Sequence, residues 1–198
     1  MRNVLVVNCC IRREESRTAE LLDSFVSALP EDCEITELTL MDERLFPLTG
    51  LFFEERQALL ETGDLYDPRF KRAHQFADAD IIVIAAPFWD LSFPALLKLY
   101  IENISVDGIT FHAVDNRLEG MCKATDMVFL TTRGGSYGPG SGMEDMEMGS
   151  RYLEALHRFF GVARYHEVAA DGIDIAGADV DAILYKASEE AAALAASL

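Results

Sequence analysis

Apolar and polar positions divide the chain into short unbroken runs and longer periodic segments. NVLVVN (Asn3–Asn8), IIVIAA (Ile81–Ala86) and DMVFLT (Asp126–Thr131) are short, largely β-branched apolar runs. That is the pattern of strands buried on both faces, as in a parallel sheet with helices on each side. EITELTL (Glu34–Leu40) alternates in part and reads as a strand nearer an edge, and Val162–Val168 reads as a fifth strand. Leu21, Leu22, Phe25, Val26 and Leu29 form one apolar helical face, which Pro30 stops. Ser16 or Thr18 can cap that helix through its hydroxyl. Leu51–Thr62, ended by Gly63-Asp64, reads as a short helix. Asp67-Pro68 opens another, with Phe70, Ala73, His74 and Ala77 on one side. Ser92-Phe93-Pro94 precedes Ala95–Ile104, Ser suiting an N-cap and Pro a first turn. Asp107–Asn116 is a loop or short hairpin, Tyr152–Phe160 a helix ended by Gly161, and Ala176–Leu198 an alanine-rich final helix.

Strands alternate with helices five times. The pattern predicts an α/β fold with a doubly wound, mostly parallel, five-stranded sheet. The flavodoxin-like strand order 2-1-3-4-5 suits it, with a ligand outside strands one and three. The chain of 198 residues is expected to be a single domain, 1–198. Ala95–Ile104 is apolar on most sides, so it is expected to be covered by more than its own sheet, as at a subunit interface.

Charge narrows the partners. The net charge of −17 repels nucleic acid and anionic membranes. No apolar run is long enough to span a bilayer, and the N-terminus lacks a signal-peptide layout. A cytoplasmic protein is expected. Cys9, Cys10, Cys33 and Cys122 lack C-x-x-C spacing and read as reduced thiols, with a vicinal Cys9–Cys10 disulfide as the alternative. The four histidines (74, 112, 157, 166) show no metal-ligand spacing, so no metal is expected. His112, in an aromatic loop, is the one that could border a pocket.

Three loops meet at the carboxyl edge of such a sheet: Cys9–Thr18, Pro87–Leu91 and Thr131–Gly138. The first leads into a helix N-terminus, where free amides favour a phosphate. Ser16 and Thr18 add hydroxyls and Arg17 adds charge, while Glu14 and Glu15 are expected to point outward. An ordinary capped helix would look the same. No nucleoside-triphosphate loop and no G-x-G-x-x-G is present there. The second loop offers Phe88 and Trp89 either as walls for a flavin ring or as core, with Asp90 toward the ring's polar edge. The third offers Gly134 and Gly135, whose backbone can approach a ligand closely and stabilise charge on a reduced flavin, or can simply form a flexible turn. Gly134–Gly138 also fits G-x-S-x-G, the elbow of a serine hydrolase. However, Gly-Pro-Gly-Ser-Gly follows where that elbow needs a helix.

Three motifs therefore stand in one order: NVLVVNCCIRREESRTAEL, ADIIVIAAPFWDLSFPALLKLYIENI with GITFH after it, and VFLTTRGGSYG. Together they resemble the FMN-dependent NADH-azoreductase branch of the NAD(P)H:quinone oxidoreductase family. The resemblance implies a flavodoxin-like homodimer, joined here through helix 95–104, with one FMN per subunit. It implies ping-pong two-electron transfer from NADH or NADPH to a quinone or azo compound. Flavin N5 carries the hydride, so no catalytic side chain is needed. Carried over, the phosphate meets Cys10, Ser16, Arg17 and Thr18. The ring meets Pro87, Phe88, Trp89, Asp90, Leu91, Thr132, Arg133, Gly134 and Gly135, while Phe111, His112 and Tyr137 border the acceptor. Relatives carry Ser, Gln and Asn where Cys10, Arg17 and Asp90 stand. The alternative is a non-enzymatic electron carrier or flavin-free module of the same fold.

Overall fold

The computed structural model describes residues 1–115 and 117–198. Strand β1 (Arg2–Asn8) leads to α1 (Arg17–Ser27), β2 (Cys33–Thr39), α2 (Gly50–Thr62), α3 (Lys71–Asp78) and β3 (Ile81–Ala85). Then come α4 (Ala95–Ile104), β4 (Phe111–Val114), β5 (Arg117–Gly120), β6 (Asp126–Arg133), α5 (Gly149–Phe160), β7 (Arg164–Asp171) and α6 (Val180–Ser197). Five strands form one sheet in the order β2-β1-β3-β6-β7, and every neighbouring pair is parallel. The order is the expected 2-1-3-4-5, and the partly alternating strand β2 is at an edge.

Two apolar layers enclose the sheet, and the period of two assigns each strand residue to one of them. Val4, Val6, Ile81, Val83, Val128 and Leu130 pack with Leu21, Leu22 and Phe25 of α1 and with the small residues Ala187, Ala191 and Ala195 of α6. Leu5, Val7, Ile82, Ile84, Met127 and Phe129 pack with α3, α4 and α5 through Phe76, Leu97, Tyr100 and Leu153. All five residues of β3 are buried, which accounts for its unbroken apolar sequence. Alanine in α6 lets that helix lie close to α1.

Several boundaries differ from expectation. Strand β6 extends past Thr131, because Thr132 and Arg133 pair with Ala170 and Asp171 of β7. Ser92 does not cap α4. Its amide and carbonyl are committed to Trp89 (2.8 and 3.0 Å), and Pro94 stands at the helix start with no capping bond. Helix α6 begins at Val180 rather than Ala176, where the Asp179 carboxylate accepts from the Ala182 amide at 3.1 Å. The expected loop or hairpin after α4 is an antiparallel hairpin whose second arm, β5, has no apolar pattern and is exposed throughout. Asn116, the last residue of that expected segment, lies outside the described residues. Cys9, Cys10, Cys33 and Cys122 carry free thiols. Among the described residues no helix is long and apolar enough to cross a membrane.

Candidate functional site

The parallel sheet delivers the ends of β1, β3 and β6 to one edge, where the order turns back on itself. An open cleft of about 510 Å3 lies there, lined from all three following loops and from the loop after β7. At one end, a single 3-10 turn (Arg13–Glu15) precedes α1. Ser16 holds the N-cap position in an extended conformation, yet its side chain makes no capping bond. The amides of Arg17 and Thr18, in the first turn, have no intrahelical acceptor. With the helix dipole they form an anion site. Ser16 and Arg17 line the cleft. Thr18 is fully buried behind it, sharing a 2.7 Å hydrogen bond with the Thr132 hydroxyl. Two arginines border this end, and each faces a carboxylate: Arg12 with Glu15 at 3.3 Å, and Arg17 with Asp174 at 2.8 Å.

At the other end the chain leaves β3 through Pro87, Phe88 and Trp89, all lining the cleft. The Phe88 amide donates to the Thr132 carbonyl at 3.0 Å, which extends the β3–β6 pairing by a step and fixes the aromatic. Asp90 and Leu91 then turn the chain with φ of 49° and 67°. The reciprocal Trp89–Ser92 bonds around two residues of positive φ are the type I′ pattern. Gly134 forms the facing wall. A Cβ there would stand 2.5 Å from Asp174 Oδ2, so only glycine leaves the carboxylate its place. Tyr137 packs on Phe88 with centroids 4.5 Å apart.

Behind this wall sits Arg133, with its side chain 5% exposed. Its guanidinium donates to Ser150 Oγ at 2.7 Å, to Asp171 Oδ1 at 3.2 Å and to Glu167, and Glu147 lies 3.6 Å away. Burial works against that charge, but the three carboxylates outweigh it and raise its pKa, so the arginine stays cationic. The Asp171 carboxylate also accepts from the Tyr137 amide at 3.1 Å. Arg133 therefore locks together β6, β7, the start of α5 and the glycine loop.

The structure brings Ser16, Arg17, Pro87, Phe88, Trp89, Thr132 and Gly134 of the expected residues to one cleft. Others lie elsewhere. Arg133, expected beside a ring, turns its side chain into the carboxylate cage. Cys10 is buried, its amide bound to Asn8 Oδ1 (2.9 Å) and its sulfur against the Ala85 carbonyl (3.9 Å). Burial pushes that thiol up to about 11, so it adds no anion to the phosphate end. Asp90 and Leu91 project from the turn into solvent, and Gly135 faces the Tyr137 ring. Phe111 packs on Phe159 at 4.6 Å, and His112 Nδ1 pairs with Asp107 at 2.9 Å, both away from the cleft. Glu15 borders the cleft, and its side chain extends into solvent as expected, 78% exposed and paired with Arg12. Sequence reasoning missed Arg12, Ile173 and Asp174. The last two follow the fifth strand at the same sheet edge, and that position was the available signal.

The arrangement suits an elongated ligand with an anionic group at the α1 end and a flat apolar ring between Phe88, Trp89 and Gly134. Gly134, lacking a side chain, leaves room at that wall for the Asp174 carboxylate. Residues 2–195 match the model of the flavodoxin-like fold family. The chain is 38% identical over 201 residues to FMN-dependent NADH:quinone oxidoreductase 2 of Clostridium acetobutylicum, covering 96% of each chain. An azoreductase from Bacillus anthracis superposes with a TM-score of 0.86 at 26% identity, covering 100% of both chains. An FMN-dependent NADH-azoreductase from Bacillus anthracis, solved in complex with FMN, shares the fold with a TM-score of 0.84 at 22% identity, covering 100% of this chain and 99% of that one. The chain belongs to the flavodoxin-like fold family.

Proposed function

We propose that this chain is an FMN-dependent oxidoreductase that takes electrons from NADH and reduces quinones or azo compounds. The observation that carries the reading is the cleft itself: an uncapped helix N-terminus and an aromatic wall face each other across one sheet edge, in a chain whose relatives are named for this reaction. FMN held there supplies the capacity to accept a hydride and pass on two electrons. The chain's own groups bind and orient. The Arg17 and Thr18 amides, the Ser16 hydroxyl and the Arg17 guanidinium hold the phosphate. Pro87, Phe88, Trp89, Thr132 and Gly134 take the ring. Arg133 acts from behind, by fixing Phe88 and the glycine loop. Cys10, Asp90, Leu91 and Gly135 contribute through backbone placement. An electron carrier of the same fold is the lesser reading, since the relatives are named as enzymes.

The finer reading is a homodimer through α4. An apolar groove between α4 and α5, bordered by Phe93, Met148 and Tyr152 with Lys98 and Arg151 at its rim, supports it. Tyr137 borders the acceptor within the subunit, and Phe111 and His112 reach it across the dimer. NADH is preferred to NADPH, because a further phosphate meets a chain of net charge −17. The protein works in the cytoplasm as one domain. Reconstitution with FMN tests the core reading. The protein takes up FMN, the visible flavin band bleaches with NADH in the absence of air, and a quinone restores it. A flavin band that NADH leaves unchanged would sink the enzyme and favour a carrier.

A further inference from the structure

We infer that Asp174 is a specificity-determining residue. Through its ion pair with Arg17 it competes with the flavin phosphate, keeps FMN exchangeable and narrows the preference for FMN over phosphate-free riboflavin. This rests on the flavin reading of the cleft.

Arg17 is the first residue of α1. A cation at a helix N-terminus meets the positive end of the dipole, and an adjacent anion relieves that conflict. The anion in the structure is Asp174, whose Oδ1 accepts from Arg17 Nη1 at 2.8 Å from 157 residues away in sequence. Both residues line the same cleft. The side chains are 42% and 67% exposed, so the pair adds little to fold stability and its effect falls on what binds there.

Asp174 is also held in place. Its amide donates to the Gly134 carbonyl at 3.0 Å, and its carboxylate rests against the face of Gly134 where a Cβ would stand. A phosphate arriving at the Arg17 and Thr18 amides meets an arginine already engaged by a fixed carboxylate. Either the phosphate shares Arg17 and faces a like charge close by, or Arg17 leaves Asp174 without its partner. Both outcomes weaken a ligand that carries the phosphate. Neither touches one that lacks it.

The test is titration of apoprotein with FMN and, separately, with riboflavin. Asp174→Asn keeps the side chain's size and removes its charge. It is expected to tighten FMN about tenfold while riboflavin stays within about twofold, the scale of one screened charge a few ångströms away. In an Arg17→Gln background the gain from Asp174→Asn is expected to fall by about half or more, because the two residues act as a unit. Equal tightening of both flavins, or no change in either, would overturn the inference while leaving the flavin reading standing. A parent protein that binds neither flavin would remove the reading and the inference together.

Discussion

The guanidinium of Arg133 stands 6.0 Å from the centre of the Phe88 ring while its two Nη groups are held by Ser150, Glu167 and Asp171. One buried cation thus places an aromatic wall of the cleft and ties it to β7 and α5. Its planar fork spreads its donors over acceptors on different elements, which the compact ammonium of a lysine does not span. Arg133→Met strands three carboxylates, so it is expected to cost about 3–5 kcal/mol. Arg133→Lys is expected to cost about 2 kcal/mol, by loss of the fork. Urea denaturation of the apoprotein measures both. FMN affinity is expected to fall in the Lys variant even where the protein remains folded.

The turn after Trp89 carries two successive non-glycine residues of positive φ. Exposure alone would make Leu91 indifferent to substitution. Its backbone says otherwise: a β-branched residue there is expected to cost about 1–2 kcal/mol, whereas Leu91→Gly is expected to be neutral or stabilising by up to about 1 kcal/mol. Thermal midpoints of Leu91→Val and Leu91→Gly give the comparison. Equal values would mean that the turn carries no strain. Asp90→Asn preserves the turn and removes a charge. It is expected to raise the bound flavin's potential by about 20–30 mV if Asp90 turns toward the ring on binding. No shift would place it in solvent in the bound state as well.

Gly120, at the end of β5, lies directly against the backbone of Phe160 and Gly161, where a Cβ would overlap the Gly161 amide. The Cys122 amide bonds to the Phe160 carbonyl at 3.0 Å just beyond. Gly120→Ala must lift the hairpin from the end of α5. It is expected to cost about 3 kcal/mol, read as a lowered urea midpoint, with the Phe111–Phe159 contact loosened.

At the opposite end of the sheet, Asp126 is 2% exposed and accepts from Arg164 (2.7 Å twice), His166 (2.8 Å) and Thr125 (2.7 Å). Burial pushes its carboxyl up, but the bonds from Arg164, Thr125 and His166 outweigh burial and hold it at about 2. An unfolded aspartate titrates near about 4, so the unfolded chain binds the proton first. The stabilisation is complete above pH ~4 and is lost as pH falls through about 2. Because Arg164 is solvent-facing, the contribution is discounted to at most about 2 kcal/mol. Asp126→Asn is expected to remove that component from the acid limb of a stability-against-pH curve. An unchanged limb would assign acid sensitivity to other carboxylates.

The sheet was legible in the sequence because β1, β3 and β6 are buried on both faces, and double burial leaves an unbroken apolar run. The α1 face was legible for the same reason at a period of 3.6. Arg117–Gly120 was not, because β5 is exposed on every residue and exists only by pairing with β4. Ser92 looked like a helix cap until the reciprocal bonds with Trp89 claimed it, a competition between two local motifs that composition cannot decide. At the site, residues adjacent to strand ends were readable one loop at a time. Asp174 and Arg133's partners were not, since Glu167 and Asp171 reach Arg133 only through the β6–β7 register and Glu147 only through the packing of the segment before α5. Cys10 was expected at the phosphate only through the family resemblance. The Asn8 side chain captures its amide and turns it inward.

The loop after β7 is stitched to the glycine loop by four backbone bonds: Gly172 to Arg133 and to Gly135, Ile173 to Arg133, and Asp174 to Gly134. For anyone redesigning this protein, the wall is one indivisible part. One residue inserted between Asp171 and Gly172 would slip all four bonds at once. It would draw Asp174 off Arg17 and Gly134 off the ring together, so the two ends of the pocket cannot be retuned independently by lengthening that loop.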